Sequence, residues 1–177
     1  RRNIQLGYNQ EGRLTITRRA TLFDLPTLWA LWIKLTSEEC ANEAIRGREM
    51  YPSVVLEDRE SWALDTAIMI GNPQVLLLIA EKAGEPSGFM LTSVNTRSVG
   101  HPKQFALVHQ LYVRPADRRA ALGDTASVLQ GETERWVRSH GISAVECDCV
   151  LSNQARWEKQ GFTPAAVRMY KTLEEVK

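Results

Sequence analysis

The stretch that decides the fold is "HQLYVRPADRRAALGDTASVL", residues 109–129. An apolar strand pattern runs into Pro115, then the adjacent Arg118 and Arg119 and a turn of small residues, and a helix opens near Thr125. Strand, tight turn and helix start together can bind an anion, because unpaired backbone N–H groups converge there and the helix dipole favours negative charge. Glycine serves such a turn where φ must be positive or where a phosphate comes very close. Gly123 supplies that freedom here, whereas Ala120 and Ala121 suit ordinary helical φ. Taken in isolation, the same hexamer also reads as two solvated arginines followed by plain helix-start residues.

The segments on either side supply the context. "QFALVHQLYV" is a strand, and the helix after the turn extends to about His140 with a core-facing stripe of Leu122, Ala126, Leu129, Trp136 and Val137. Asp124, Gln130, Glu134 and Arg138 fall mostly on its other side. Upstream, "QVLLLIAEKAGEPSGFMLTSV" holds two apolar runs around a turn at 83–87, which is a hairpin pattern. Downstream, "SAVECDCV" alternates like a strand, "NQARWEKQ" is a short helix closed by Gly161, and "TPAAVRMYKTL" is a last strand.

The chain's first half begins with an alternating strand, "RLTITRRAT", and an amphipathic helix, "LFDLPTLWALWIKLT". In that helix Asp24 reads as the N-cap, Pro26 lies in the first turn, and Leu25, Leu28, Trp32 and Leu35 recur at helical spacing. The pattern weakens over 37–60, and a second helix, "ESWALDTAIMI", stops at "GNP". The order β-α-α-β-β-β-α-β-α-β predicts an α/β (α+β) fold: a mixed, mostly antiparallel sheet of six to seven strands with about four flanking helices.

Length and composition narrow the class. The 177 residues suit a single domain over 14–177, with 1–13 read as an N-terminal extension or the remnant of a trimmed end. With 44% hydrophobic residues, 24% charged residues and a net charge of +1, the composition is that of an ordinary globular protein. Near-neutrality argues against nucleic-acid binding through a broad basic face, and Arg18, Arg19, Arg114, Arg118 and Arg119 have little aromatic interleaving. The run "VLLLIA" at 75–80 is far below the roughly 20 residues a membrane-spanning helix needs. Cys40, Cys147 and Cys149 lack metal-site or CxxC spacing, so the expectation is free thiols, a cytoplasmic location and no bound metal.

The order of elements and several local phrases resemble the GNAT superfamily of acetyl-coenzyme A-dependent N-acetyltransferases, over approximately residues 14–173. "LTITRRATLFDLPTL" is similar to the family's first strand and helix, "LIAEKAGEPSGFML" to its second and third strands, "LYVRPADRRAALG" to its fourth strand and pyrophosphate loop, and "WEKQGF" to the phrase before the last strand. The family loop usually reads Arg or Gln, two residues, Gly, one residue, then Gly or Ala. Arg118 fills the first place, Ala121 replaces the first glycine, Gly123 keeps the last, and Arg119 stands where a further glycine is common.

The resemblance implies a cofactor, acetyl-CoA, held where the family's fourth and fifth strands splay apart. Main-chain groups of Leu111, Tyr112 and Val113 would hold pantetheine and thioester. The loop from Arg118 through Arg119, Ala120, Ala121, Leu122 and Gly123 to Asp124 would hold the pyrophosphate, with Asn153 and Trp157 near the pantetheine. His109 lies where the family often carries a general base, commonly Glu, and an imidazole with its unperturbed pKa of about 6.5 suits that work; the alternative is a hydrogen-bonded strand histidine.

Glu146 and Asp148 share one face of their strand, as bases or ammonium ligands or simply as its solvated side. The family's thiolate proton donor is often a Tyr four residues before the final Gly-Phe pair. That place is Trp157, whose indole N–H is no acid at neutral pH, which leaves Tyr170, Tyr112 or water. Asn153 stands four residues before Trp157 where the family commonly has seven, so this helix looks shortened.

Glu38, Glu39, Glu43 and Tyr51 fall in the segment that lines the family's acceptor site. The expected partners are acetyl-CoA and an amine-bearing acceptor, with a homodimer left open. A GNAT-fold binding or regulatory module without turnover is the competing reading.

Overall fold

The computed structural model describes residues 5–8, 14–41, 58–98, 103–118, 125–147, 149 and 154–165. Among them the chain runs β1 (Gln5–Tyr8), β2 (Leu14–Arg19), α1 (Leu25–Ala41), α2 (Arg59–Gly71), β3 (Val75–Lys82), β4 (Glu85–Thr96), β5 (Gln104–Val113), α3 (Thr125–Ser139), β6 (Val145–Cys147) and α4 (Gln154–Glu158). The six strands form one sheet in chain order. Every neighbouring pair is antiparallel except β5 and β6, which are parallel. The mixed, mostly antiparallel sheet expected from the sequence is present. β1 adds a strand that the expected order lacked, within the segment read as an extension. Of the expected last strand at 163–173, residues 166–173 lie outside the described residues.

The sheet is covered on both faces, which explains why "VLLLIA" is continuously apolar rather than alternating. On one face Leu76, Leu78 and Ala80 of β3, with Met90, Ala106 and Val108, pack against Leu129, Trp136 and Val137 of α3. On the other, Leu77 and Ile79 of β3, with Phe89 and Tyr112, pack against Leu28, Leu31, Trp32 and Leu35 of α1. Trp29 and Trp32 of α1 meet Trp62 of α2, with ring centroids 5.1 and 5.8 Å from it, so the two helices share an aromatic contact above the sheet.

Three local expectations are corrected. Thr21, not Asp24, stands at the N-cap position of a 3-10 turn at Leu22–Asp24 that precedes α1. Asp24 reaches back instead, its Oδ2 accepting from Thr21 N and Thr21 Oγ1, both at 2.8 Å, and its carboxylate takes a bidentate pair of bonds from Arg18 at 2.7 and 2.8 Å. The β3–β4 turn is tighter than 83–87: Ala83 and Gly84 alone make it, both at positive φ (55° and 82°), the geometry of a two-residue hairpin turn. Gln130 is buried rather than turned to solvent, its Nε2 donating to Glu134 Oε1 (3.0 Å) and to Gln160 O (3.1 Å), which ties α3 to the turn after α4. A polar side chain at that place in the helix wheel is tolerated because both its bonds are made.

Candidate functional site

An irregularity in the β4–β5 ladder organises the site. Thr92 pairs with Val108 but Leu91 pairs with Gln110, so His109 is an extra residue on β5, a β-bulge. Ala106 donates its N–H to Ala144 O (2.9 Å), so before the bulge Ala106 and Val108 turn their backbone groups toward the β6 side. One extra residue reverses that alternation. Beyond the bulge Leu111 and Val113 face away from β4, and Val113 O is reached by Arg118 Nε (2.5 Å), while Arg114 N turns back to Ser87 O of β4 (2.9 Å). Described pairing with β6 ends at Val108 and Cys147. Among the described residues, therefore, no strand pairs with the edge carrying the Leu111 and Val113 backbone groups. Tyr112, the third member of the expected trio, faces β4 and buries its ring in the core.

The start of α3 is fixed beside that edge. Gly88 lies opposite Val113, and a Cβ there would run into the Tyr112 carbonyl oxygen while also crowding Thr125 Cγ2 and Val113 Cα, each at 3.3 Å. Only glycine lets the end of β5 and the first residue of α3 come this close. Ser87 Oγ, fully buried, lies 3.3 Å from Thr125 Oγ1 and donates to Ala80 O (3.2 Å), pinning the helix start to the sheet. The turn after β5 is held by buried Asp117, which pairs with Arg114 Nε (2.9 Å) and Lys82 Nζ (3.4 Å).

Two polar groupings stand at the bulge and just before it. His109 Nε2 is 2.7 Å from Ser93 Oγ, and Asn95 Nδ2 donates to that same Oγ (2.7 Å). Glu146 is ion-paired with Arg97, whose guanidinium also lies 4.4 Å above the Phe105 ring. Glu146, expected as a base, an ammonium ligand or simply the solvated side of its strand, thus has a cation of the protein beside it.

Arg118, the last described residue before α3, folds back onto the end of β5. Beyond its bond to Val113 O, its Nη2 meets Glu38 Oε2 (2.5 Å) and its guanidinium lies 5.5 Å from the Tyr112 ring centroid. Glu38, expected on the acceptor side, therefore reaches from α1 to the end of β5. Burial, with a smaller contribution from Glu38, pushes the Tyr112 phenol up, so it is a weaker acid than a free tyrosine. Trp157 packs against the α3-side core, as do Leu111 and Cys147, and its ring meets Phe162 edge-on at 5.0 Å. Gly161 at φ +88° closes the short helix, with Phe162 N donating to Trp157 O (3.2 Å).

The expected loop residues Arg119, Ala120, Ala121, Leu122, Gly123 and Asp124 lie outside the described residues, as do Asp148, Asn153, Tyr170, Glu43 and Tyr51. Among the described residues no group of three or more His, Cys, Asp or Glu side chains is placed to hold a metal ion.

The bulge and the reversed edge were not legible in the sequence. Nothing in "ALVHQLY" marks an inserted residue, since bulges need neither glycine nor proline. Ser93 and Asn95 were missed as well. They alternate on β4 like any half-exposed strand and become meaningful only when the register brings them to His109.

No protein-family model and no curated protein matches the chain in sequence. Solved structures do match it in shape. An aminoglycoside 6'-N-acetyltransferase from Acinetobacter haemolyticus superposes with a TM-score of 0.69 at 17% identity, over 90% of this chain and 99% of that one. A GCN5-related N-acetyltransferase from Ralstonia eutropha gives 0.69 at 16% identity, over 91% and 99%. An aminoglycoside N-acetyltransferase in complex with CoA gives 0.70 at 15% identity, over 92% and 97%. The chain has the GNAT fold. In GNAT terms β5 is the fourth strand, β6 the fifth and α3 the helix that follows the pyrophosphate loop. The bulge at His109 lies two residues before Leu111, the first of the main-chain groups that the resemblance implies for pantetheine.

Proposed function

We propose that this chain is an N-acetyltransferase that moves the acetyl group of acetyl-CoA directly to a primary amine of a small molecule, peptide or protein. The observation that carries the reading is the reversal at His109, which turns the Leu111 and Val113 backbone groups to the side of β5 where no strand pairs among the described residues, next to the start of α3. The residues present suit a coenzyme A thioester. Leu111 and Val113 offer main-chain donors and acceptors to pantetheine, and the start of α3 beside them offers the positive end of a helix dipole to the pyrophosphate. When bound, the thioester supplies the acetyl group. The protein's part is to align the acceptor, donate hydrogen bonds to the developing oxyanion and take a proton from the amine.

His109 is the base in this reading. It is exposed, sits on the bulge two residues from Leu111, and its Nε2 meets the Ser93 hydroxyl at 2.7 Å. A second reading, a GNAT-fold binding module without turnover, is favoured by two observations: Arg118 caps Val113 O, and Trp157 stands where a proton-donating Tyr is usual. Calorimetry with acetyl-CoA, followed by thiol release with a panel of amines, separates them. Binding with turnover that His109→Ala depresses far more than cofactor affinity supports the first reading. Binding without turnover on any amine supports the second, and no binding removes the first reading and the cofactor claim with it.

A further inference from the structure

We infer that Ser93 is a catalytic proton relay between the acceptor amine and His109, held in that role by Asn95. The inference rests on the reading of His109 as the base and goes beyond it by naming the atom that meets the substrate. Asn95 Nδ2 donates both to the backbone carbonyl Ser93 O (3.2 Å) and to Ser93 Oγ (2.7 Å). A carbonyl oxygen can only accept, so the first bond fixes which end of the Asn95 amide points here. The second then makes Ser93 Oγ an acceptor toward Asn95. Among the described residues His109 Nε2, at 2.7 Å, is the partner left for the hydroxyl proton. The neutral imidazole therefore carries its own proton on Nδ1 and presents the Nε2 lone pair to Ser93.

A hydroxyl has one proton and two lone pairs. The proton goes to Nε2 and one lone pair takes the Asn95 amide proton. The second lone pair is the position for an ammonium N–H of the acceptor. Ser93 and His109 are both solvent-accessible, so an acceptor can reach it.

In the step itself the ammonium N–H proton moves to Ser93 Oγ as the Oγ–H proton moves to Nε2. The amine keeps the freed electron pair for attack, Ser93 is a neutral hydroxyl again, and His109 becomes imidazolium. Protons and charge balance without any further reactant. Donation from Asn95 also polarises the Ser93 O–H toward Nε2, because linked hydrogen bonds strengthen one another.

The test has a spectroscopic arm and a kinetic arm, both on the full chain. With 15N-labelled histidine at pH above 8, the wild-type His109 ring should give the pattern of the Nδ1–H tautomer, and Ser93→Ala should shift it toward Nε2–H. A wild-type ring in the Nε2–H form overturns the relay whatever the kinetics. In thiol release with an alkyl amine, an amino sugar and a lysine-containing peptide as acceptors, Ser93→Ala should lower kcat about 10- to 100-fold with acetyl-CoA affinity unchanged. Ser93→Thr, which keeps the hydroxyl, should recover most of that loss, and Asn95→Leu should fall between. Inactive His109→Ala beside fully active Ser93→Ala sinks the relay and leaves the base in place. A fully active His109→Ala enzyme, or no turnover with any acceptor, sinks both, while the tautomer result still reports the contact itself.

Discussion

Gly88 of β4 and Val113 of β5 stand opposite each other with no room between them for a side chain: a Cβ on Gly88 would meet the Tyr112 carbonyl oxygen. The obstruction is backbone, so it cannot swing aside as a flexible side chain would. Gly88→Ala is expected to push β4 and β5 apart where the Leu111–Val113 edge and the α3 start meet. The cost should be about 1–3 kcal/mol in urea unfolding, typical of an overpacked interior, together with weaker acetyl-CoA binding in calorimetry. Gly131 inside α3 is the internal control, because a Cβ there meets nothing within 4 Å. Gly131→Ala should stabilise by about 0.5–1 kcal/mol through helix propensity and leave cofactor affinity unchanged. An Ala at position 88 as harmless as one at 131 would mean that the two strands are not held at this spacing.

Arg18 and Asp24 give the fold an acid-dependent contribution. Chiefly through its hydrogen bonds from Arg18, and against the cost of burial, the Asp24 carboxyl is held at about 2 rather than its ordinary 3.8. A carboxyl depressed in the folded chain stabilises it fully above the ordinary value, and that contribution fades as pH falls from 3.8 through 2. The shift corresponds to about 2 kcal/mol. Urea unfolding of wild type and Asp24→Asn should differ by a constant amount above about pH 5, and the difference should shrink steadily between pH 4 and 2. A gap that does not change with pH would show that the pair adds nothing linked to titration.

How much of this was readable beforehand depended on whether a feature repeats. α1, α2 and α3, the β3–β4 hairpin and β5 announce themselves through periodicity and through stops such as the "GNP" at 71–73 and Gly161, because each repeats one rule over many residues; the cap of α2 is Asn72, one residue past the expected Gly71. Single events did not show. His109 as a bulge, Gln130 as a buried polar residue and Thr21 in place of Asp24 as the capping residue are each settled by one long-range contact or one backbone angle. β1 is a four-residue strand in polar sequence and exists by pairing with β2, a tertiary cause with no local signature. For the site the division is sharper. His109 becomes a candidate base from its place in a familiar order of elements, but Ser93, Asn95 and the seat of Arg118 on Val113 O needed the register.

Glu38 and Arg118 should control cofactor affinity in opposite senses. Arg118 keeps a positive charge at the edge of the proposed cofactor site, and Glu38, 2.5 Å from it, offsets that charge. Both side chains are partly exposed, so the pair itself contributes little to stability, within about 1 kcal/mol. Glu38→Ala should therefore leave unfolding almost unchanged and tighten acetyl-CoA binding several-fold at low salt, with the gain fading as ionic strength rises. Arg118→Ala should weaken binding under the same conditions. If Arg118 acts mainly as a plug on Val113 O, the order reverses and Arg118→Ala binds more tightly, which calorimetry at two salt concentrations distinguishes.

Trp157 sets a limit on turnover in the proposed reaction. Its indole cannot protonate a departing thiolate, and Tyr112, buried and made less acidic by its surroundings, is poorly suited to replace it. Trp157 packs against Phe162 and the core beneath α3, so a smaller aromatic ring can keep the contact while bringing a hydroxyl to the same position. Trp157→Tyr is expected to raise kcat for thiol release about 10-fold with little change in acetyl-CoA affinity, the low end of what general-acid assistance supplies. The lost packing volume should appear as a modest drop in Tm. Where thiolate departure limits the wild type, the gain should be largest at high pH, since solvent protons are then scarcest and an internal donor matters most. An unchanged kcat across that range would mean that protonation at this position does not limit the reaction, and that the Trp is a packing residue whose chemistry the site never needed.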